Sequence, residues 1–599
     1  MKKNILLILV TSAIFFTACQ KNFLDTQIQQ NFSEDLFLNS GPANLKAFGM
    51  GVYDYLPQMN RFGGNAMLAA ASDEADYALF NNLQRFNNGA WDAFTNPDDV
   101  WANYYKGIRH ANLFLEKTTD FRKLLVQDTI NNKANYILDV DDFIKLRAEV
   151  RFLRAYFYME LIKRYGGVPL VKNVITETES YAITRSSFKQ CVDYIVEQTD
   201  SAYIDLSNHF INYGIPAGQT IGKGDAGTDN NKLGRIEKPA AIALKLRALL
   251  YAASPLNNPS NDLTLWQKAC EAAQQLFTDP NSAHVNFLNA NYKDLFMSQN
   301  TTNNLTPRKG ANSGIILTRP FQLNTNTFER ANYPVGMVNA GEGATCPSQN
   351  LVDAFEMKTT GLPIDDAASG YNPNDPYANR DPRLGWIVVL NGSTMGLNTS
   401  NIARVVESYV GGADAIGVKQ GATTTGYYLR KMNVENYNLA LAGSKAKVWV
   451  LMRFAEVLLN YAEAANEAFG PEAKPVLNGA VAVRSAREAV NLVRTRAGMP
   501  NLSAGLTQAQ LRDRIRNERR VELAFEEHRF FDVRRWKIAE KTEVQPLTGM
   551  RVTATSPGVF AYQKITVEPR FFSAQMYYYP IPFSEISKSN GLITQNQGW

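Results

Sequence analysis

Long apolar runs are missing from this 599-residue chain beyond its first eighteen positions. A bilayer-spanning helix needs about 20 consecutive apolar residues, so no later segment reads as one. Cysteine is scarce: Cys19, Cys191, Cys270 and Cys346, with no CxxC spacing. Setting Cys19 aside for reasons given below leaves an odd number, which argues against a disulfide framework. Four histidines (His110, His209, His284, His528) stand far apart without metal-ligand spacing, so no zinc site is expected, and nothing points to a cofactor. A formal charge of only +5 calls for no polyanionic partner. Positions 218–224 (GQTIGKG) lack the four-residue gap before Gly-Lys and the Ser or Thr after Lys223, so they are not a phosphate loop. Convergent acids, or a nucleophile with its base, are absent too, which disfavours a hydrolase.

What is present begins with a leader. Lys2 and Lys3 precede an apolar stretch at 5–16, interrupted only by Thr11 and Ser12, and Thr17-Ala18-Cys19 follows. Small residues before a cysteine match a lipoprotein signal, in which the thiol is acylated before cleavage. Phe16 departs from the usual aliphatic residue there. The expectation is a signal peptide at 1–18 and a mature chain lipidated at Cys19, held stably by several acyl chains at about 0.8 kcal/mol per buried methylene. Loss of Lys2 and Lys3 would take the formal charge from +5 to +3. Forty-five per cent hydrophobic and twenty per cent charged residues are ordinary globular values.

No Ser/Pro-rich linker divides the rest, so one body over 19–599 is expected: a helical frame at about 42–299 and 445–599, with a loop-rich insertion at about 300–444. Apolar periodicity places helices at 41–55, 98–117, 141–165, 186–208, 238–254, 263–278, 447–469, 480–496 and from 511 onward. Small residues alternate with aromatics in these segments (Ala148, Ala155, Tyr156; Ala243, Ala248, Tyr251; Ala455, Tyr461, Ala462). That is the grammar of tetratricopeptide-like hairpins, without a strict repeat. Short β-branched runs at 315–318 and 387–390 mark small strands in the insertion. The fold class expected is therefore mainly α, a frame of helical hairpins carrying a loop layer where binding sites tend to sit.

The stretch 511–536 (LRDRIRNERRVELAFEEHRFFDVRRW) is the densest in charge and aromatics. Local pairs Arg514 with Glu518 and Arg519 with Glu522 would brace a helix. As a nucleic-acid helix it fails, because Glu518, Glu522, Glu526, Glu527 and Asp532 would repel phosphates. As a carboxylate active site it has no support beyond the carboxylates themselves. The expectation is a buried structural network of Glu518, Arg519, Glu522, Arg529, Asp532, Arg535 and Trp536.

The same residues carry a resemblance. Glu518-Arg519-Arg520, Glu522-Leu523, Glu526, Arg529, Asp532 and Arg535-Trp536 resemble the C-terminal signature of the SusD/RagB family of outer-membrane nutrient-binding lipoproteins, which usually has glycine in place of Glu527. Further landmarks match in order, among them Tyr165-Gly166-Gly167-Val168-Pro169, Asn379-Arg380-Asp381-Pro382-Arg383 and Tyr579-Pro580-Ile581-Pro582. The resemblance implies a tetratricopeptide-like frame, a loop-rich ligand face, and no catalysis. It also implies a place in the outer membrane facing the cell exterior, as the lid of a TonB-dependent transporter to which glycan is delivered. Peptides or another nutrient on the same frame remain the alternative.

Sugars bind ring platforms flanked by planar hydrogen-bonding groups. Two loops offer that mixture. The first holds Phe80, Asn81, Asn82, Arg85 and Trp91; the second holds Phe321, Asn324 and Phe328. Trp91 is the leading candidate, although a loop aromatic also serves as a plug on its own core.

Overall fold

The computed structural model describes residues 41–125, 133–180, 182–208, 234–290, 292–296, 314–321, 327–339, 341–441 and 447–599. The leader, Cys19, His209, positions 218–224 and Asn324 lie outside them. The frame is built from α1 (Pro42–Met50), α2 (Trp101–Lys117), α3 (Lys133–Tyr165), α4 (Phe188–Asp205), α5 (Lys238–Ala253), α6 (Leu263–Thr278), α7 (Phe454–Phe469), α8 (Ala486–Arg496), α9 (Gln508–Glu522) and α10 (His528–Arg535). From α2 to α8 each helix packs on the next, and α9 packs on both α7 and α8. Across the step from α6 to α7 the chain leaves for the loop layer and returns to the same stack.

Local chemistry sets the helix starts. Ser187 accepts from the Gln190 amide while the Gln190 side chain accepts from the Ser187 amide, and Ser485 with Glu488 and Thr507 with Gln510 repeat the arrangement. Each reciprocal cap satisfies two amides that the helix itself leaves open. α5 is apolar on nearly every side, with Ala240, Ala241, Leu244, Ala248 and Leu250 all buried. A helix of that kind belongs inside, and α5 lies between α4 and α6.

The helix expected at 480–496 begins only at Ala486, because Ala480–Val481 pairs with Val476–Leu477 as a short hairpin. Two longer segments also differ from the sequence expectation. Lys447–Arg453 (β2) is a strand, and α7 begins only at Phe454. It pairs antiparallel with Ile315–Phe321 (β1), from Ile315 opposite Arg453 to Phe321 opposite Lys447. Val448 and Val450 favour the extended form, and β1 supplies backbone partners that a helical count cannot foresee. The pair therefore clamps the loop layer where it leaves and rejoins the frame. The second difference is a hairpin, Leu547–Ser556 (β3) with Val559–Glu568 (β4), within a region expected to be helical. Every sheet among the described residues is two-stranded.

Between α9 and α10 the chain turns sharply. Phe525 and Glu527 both hold positive φ, 63° and 65°, so the glycine-like conformation is present without the glycine.

Candidate functional site

The charged stretch forms a lock. Arg383 donates to Asp381, to Glu518 at 2.6 Å and to Glu522 at 2.9 Å. Glu522 also accepts from Arg453 at 2.6 Å and from Arg496 at 2.5 Å. Burial alone would raise the Glu522 pKa, but Arg496, Arg453 and Arg383 hold it well below the usual carboxylate range. Arg535 closes on Asp532 at 2.7 Å and on both oxygens of Glu463, which also accepts from Trp536 Nε1 at 2.7 Å.

Three pairings differ from expectation. Arg519 bonds Asp532 and Asn460 rather than Glu522. Arg514 bonds Glu356 rather than Glu518. Arg529 leaves Asp532 alone and takes Asp73 through bonds of 2.7 and 2.8 Å. Spaced pairs brace exposed helix faces; Glu518, Arg519 and Glu522 are buried, so their partners come from the elements packed on them. Asp73, Glu463 and Arg496 carry no local signal of that role. Every carboxylate of the lock is answered by at least one arginine, and among the described residues of the lock only Glu463 and Trp536 border a cleft.

The first candidate loop divides. Phe80 is 85% exposed, Asn82 is exposed and Arg85 half-buried. Asn81 is spent on the fold, accepting from the Leu83 amide and donating to Gly63 O at 2.6 Å. Trp91 is not a platform: it is 4% exposed. Its ring sits 4.8 Å from Phe86, 5.4 Å from Tyr579 and 4.5 Å from Trp599. The described residues of the second loop belong to a strand and a short helix. Phe328 is fully buried, 5.5 Å from Trp449, and the backbone of Phe321 ends β1. A ring beside asparagines packs on whatever apolar surface the fold brings up, and here that surface is the core.

On either side of Phe80 in the chain, hydrogen bonds from Asp76, Tyr77 and Asn87 tie this segment to the loop layer and to β4. Asp76 accepts from Gln84 and from Thr424 at 2.6 Å. Tyr77 donates to Glu342, and the Gly343 amide donates to Gly421 O. Thr425 O accepts from the Met550 amide, and Val552 O from the Val410 amide, which fixes β3 against the loop layer. Asn87 donates to Glu568 at 2.7 Å and accepts through its backbone from Phe571.

The loop layer and β4 carry half-buried rings that composition does not single out: Tyr371, Tyr377, Tyr409, Phe560 and Tyr562. Phe560 and Tyr562 are two apart on β4 and so share one side of the strand. Tyr377 meets Tyr562 edge-on at 5.4 Å, and Tyr409 lies 5.6 Å from Phe560. Tyr377 is anchored from behind by a 2.9 Å hydroxyl contact to Tyr427, which donates to Gln349. Arg380 lies 5.5 Å from the Tyr371 ring, beside the run Asn372, Asn374 and Asp375. Rings held from one side, with amides and carboxylates near, suit a flat hydroxylated ligand. Period-two aromatics after Ser556-Pro557-Gly558 were the available signal. Among the described residues no group of three His, Cys, Asp or Glu is placed to hold a metal ion, and no helix is long and apolar enough to cross a membrane.

Comparison with known proteins agrees with the layout. A family model described as the SusD family matches residues 313–599, and one described as starch-binding associating with outer membrane matches residues 22–213. A SusD-like protein from Bacteroides fragilis NCTC 9343 is 28% identical and superposes with a TM-score of 0.73, covering 95% of this chain and 99% of that one. The SusD-like protein P2 of Formosa agariphila is 31% identical over 151 residues, 25% of this chain and 26% of that protein, so the match spans about a quarter of that relative. A structure described as a laminarin binding SusD-like protein is 20% identical with a TM-score of 0.59, covering 93% of this chain and 100% of that one. At that identity the likeness is one of fold.

Proposed function

The chain belongs to the SusD family of carbohydrate-binding proteins associated with the outer membrane, and on that premise we propose that it captures glycan on the face between Phe80 and β4. It acts as a lipoprotein anchored through Cys19, facing the cell exterior, and hands its ligand to a TonB-dependent transporter without performing chemistry on it. The observation that carries this reading is the group of half-buried rings, Tyr377, Tyr409, Phe560 and Tyr562, packed in two pairs and anchored at Tyr377 through Tyr427. A preorganised platform loses little freedom when a sugar lands on it. The laminarin-binding structure of the same fold is in keeping with a glycan ligand.

The test is a binding screen of the purified mature protein against a broad glycan panel, with oligopeptides alongside. Glycan binding that falls in Tyr562→Ala and Phe80→Ala is the expected result. Binding confined to peptides would overturn the ligand class, and glycan binding untouched by both substitutions would overturn the site.

A further inference from the structure

A cleft beside the turn from α5 to α6 stands apart from the loop face. It encloses about 480 Å³, within the roughly 300–1,000 Å³ of small-molecule sites. Asn258 and Trp266 line it from the α5–α6 side, Glu467 from α7, Arg512 and Arg516 from α9, and Trp536 from the end of α10.

Charge matching around it is incomplete at one group. Glu467 is occupied by Arg512 through two bonds of 2.6 Å. Glu463 is occupied by Arg535 and Trp536. The other four arginines of α9 each reach a carboxylate: Arg512, Arg514, Arg519 and Arg520. Arg516 has no hydrogen bond and no ion pair among the described residues, and its Nε is buried without an acceptor. Its guanidinium lies 5.0 Å from the centre of the Trp536 ring. Burial pushes its pKa below the usual arginine range. A cation kept partly desolvated and unpaired is unfavourable by itself, and its planar fork matches a carboxylate. Exposed Lys537 lines the same cleft and adds a second positive charge.

We propose that this cleft is a second ligand site, which takes a carboxylate-bearing molecule of mono- to disaccharide size with its carboxylate on Arg516. Acidic sugars and flat organic acids share that chemistry. The inference does not rest on the glycan reading of the loop face, since neither Phe80 nor Tyr562 lines the cleft.

Titration of the mature protein at low salt with D-glucuronate, D-galacturonate, benzoate and neutral glucose tests it. Saturable binding of at least one acid, with none for glucose, is expected. Uronate binding alone assigns an acidic sugar, and benzoate binding alone an organic acid. Arg516→Met should weaken that binding by about tenfold or more, while Arg516→Lys keeps part of it and Tyr562→Ala leaves it unchanged. Absence of saturable binding by all three acids, or affinity unaltered in Arg516→Met, would overturn the site. Should Arg516→Met not fold, the Trp536 indole NMR signal of the unsubstituted protein decides: displacement by the acids but not by glucose supports the site, and no displacement removes it.

Discussion

Glu527 holds a left-handed backbone, φ 65°, and from there its carboxylate reaches Arg61, 466 positions earlier in the chain. Arg61 in turn donates to Asp98 at 3.1 Å. A residue with a Cβ is strained in that region by about 1 kcal/mol. Here the ion pair across the frame offsets the strain, and the bend that glycine would permit is kept.

Two substitutions separate the strain from the pair. Glu527→Ala loses the pair and keeps the strain; Glu527→Gly loses the pair and relieves the strain. Both should destabilise, with the alanine variant less stable than the glycine variant by about 1 kcal/mol. Denaturant unfolding of the two side by side measures the difference. Equal midpoints would mean that the left-handed backbone carries no strain here.

Asp532 sits between Arg519 and Arg535, all three buried. Asp532→Ala leaves Arg519 with Asn460 and Arg535 with Glu463, but removes the carboxylate that balances them. Breaking a buried pair from one side costs about 3–5 kcal/mol. The surface pair Lys189–Asp193 is the control, where Asp193→Ala should change stability by about 0–1 kcal/mol. Similar thermal midpoints for the two variants would contradict a buried lock.

How much of this was legible in the sequence follows from the range of each interaction. Ser187, Ser485 and Thr507 act within three residues. The helices that Ser187 and Thr507 start lie close to where periodicity placed them, whereas the one at Ser485 starts later than expected, after the Ala480–Val481 strand. Arg529 was readable as a buried arginine, but its partner Asp73 lies 456 positions away, and only the fold chooses between Asp73 and Asp532. Periodicity reads β2 as helix because Lys447–Arg453 runs directly into α7, and its pairing partner lies on the far side of the loop layer. Rings were the least legible. Trp91 and Tyr562 both stand among polar neighbours, and composition does not say which one the core will cover.

Stability should peak on the mildly acidic side of neutral. Burial and the neighbouring Asp73 carboxylate raise Glu74 from 4.5 to about 8, against the opposing charges of Arg529 and Arg520. Burial and Asp76 raise Glu568 to about 7. Between pH 4.5 and those values the folded state holds protons that the unfolded chain has released, so stability falls as pH rises. Glu160 and Glu456 act on the other flank. Burial opposes their ionisation, but Lys163 and Arg164 for one, and Arg247 for the other, hold them at about 2. Their contribution is present above 4.5 and is lost as pH falls toward 2. Glu74→Gln should therefore flatten the decline between pH 5 and 8 by about 1 kcal/mol per pH unit. Thermal melts across pH 3–9 check both flanks, and an unchanged slope in the variant would show that Glu74 is already ionised in the folded state.

Cys19→Ser should yield a folded protein that no longer partitions with membranes, because the serine hydroxyl is not acylated in place of the thiol. Fractionation with acyl-lipid labelling measures it. Retained label in the variant would remove the anchor from Cys19.

Trp91 and Tyr562 together test the division between core and ligand face. Trp91 contacts Phe86, Tyr579 and Trp599 at the closing end of the chain, so truncating it empties a well-packed site. Trp91→Ala should cost about 3–5 kcal/mol of folding stability. The folded fraction should bind glycan with unaltered affinity, since the ring presents almost nothing to solvent. Tyr562 is half-buried against Tyr377, and its removal uncovers a ring edge rather than a cavity. Tyr562→Ala should therefore lower stability by no more than about 1.5 kcal/mol, the scale of an aromatic pair. It should weaken glycan binding by about 1–3 kcal/mol, by analogy with base–aromatic stacking. Melting and glycan titration on the same preparations give a crossed pattern: one variant loses stability and the other loses affinity. If Trp91→Ala weakened binding while remaining as stable as the parent, the ligand would be contacting the ring assigned here to the core, and the face built on β4 would lose its claim.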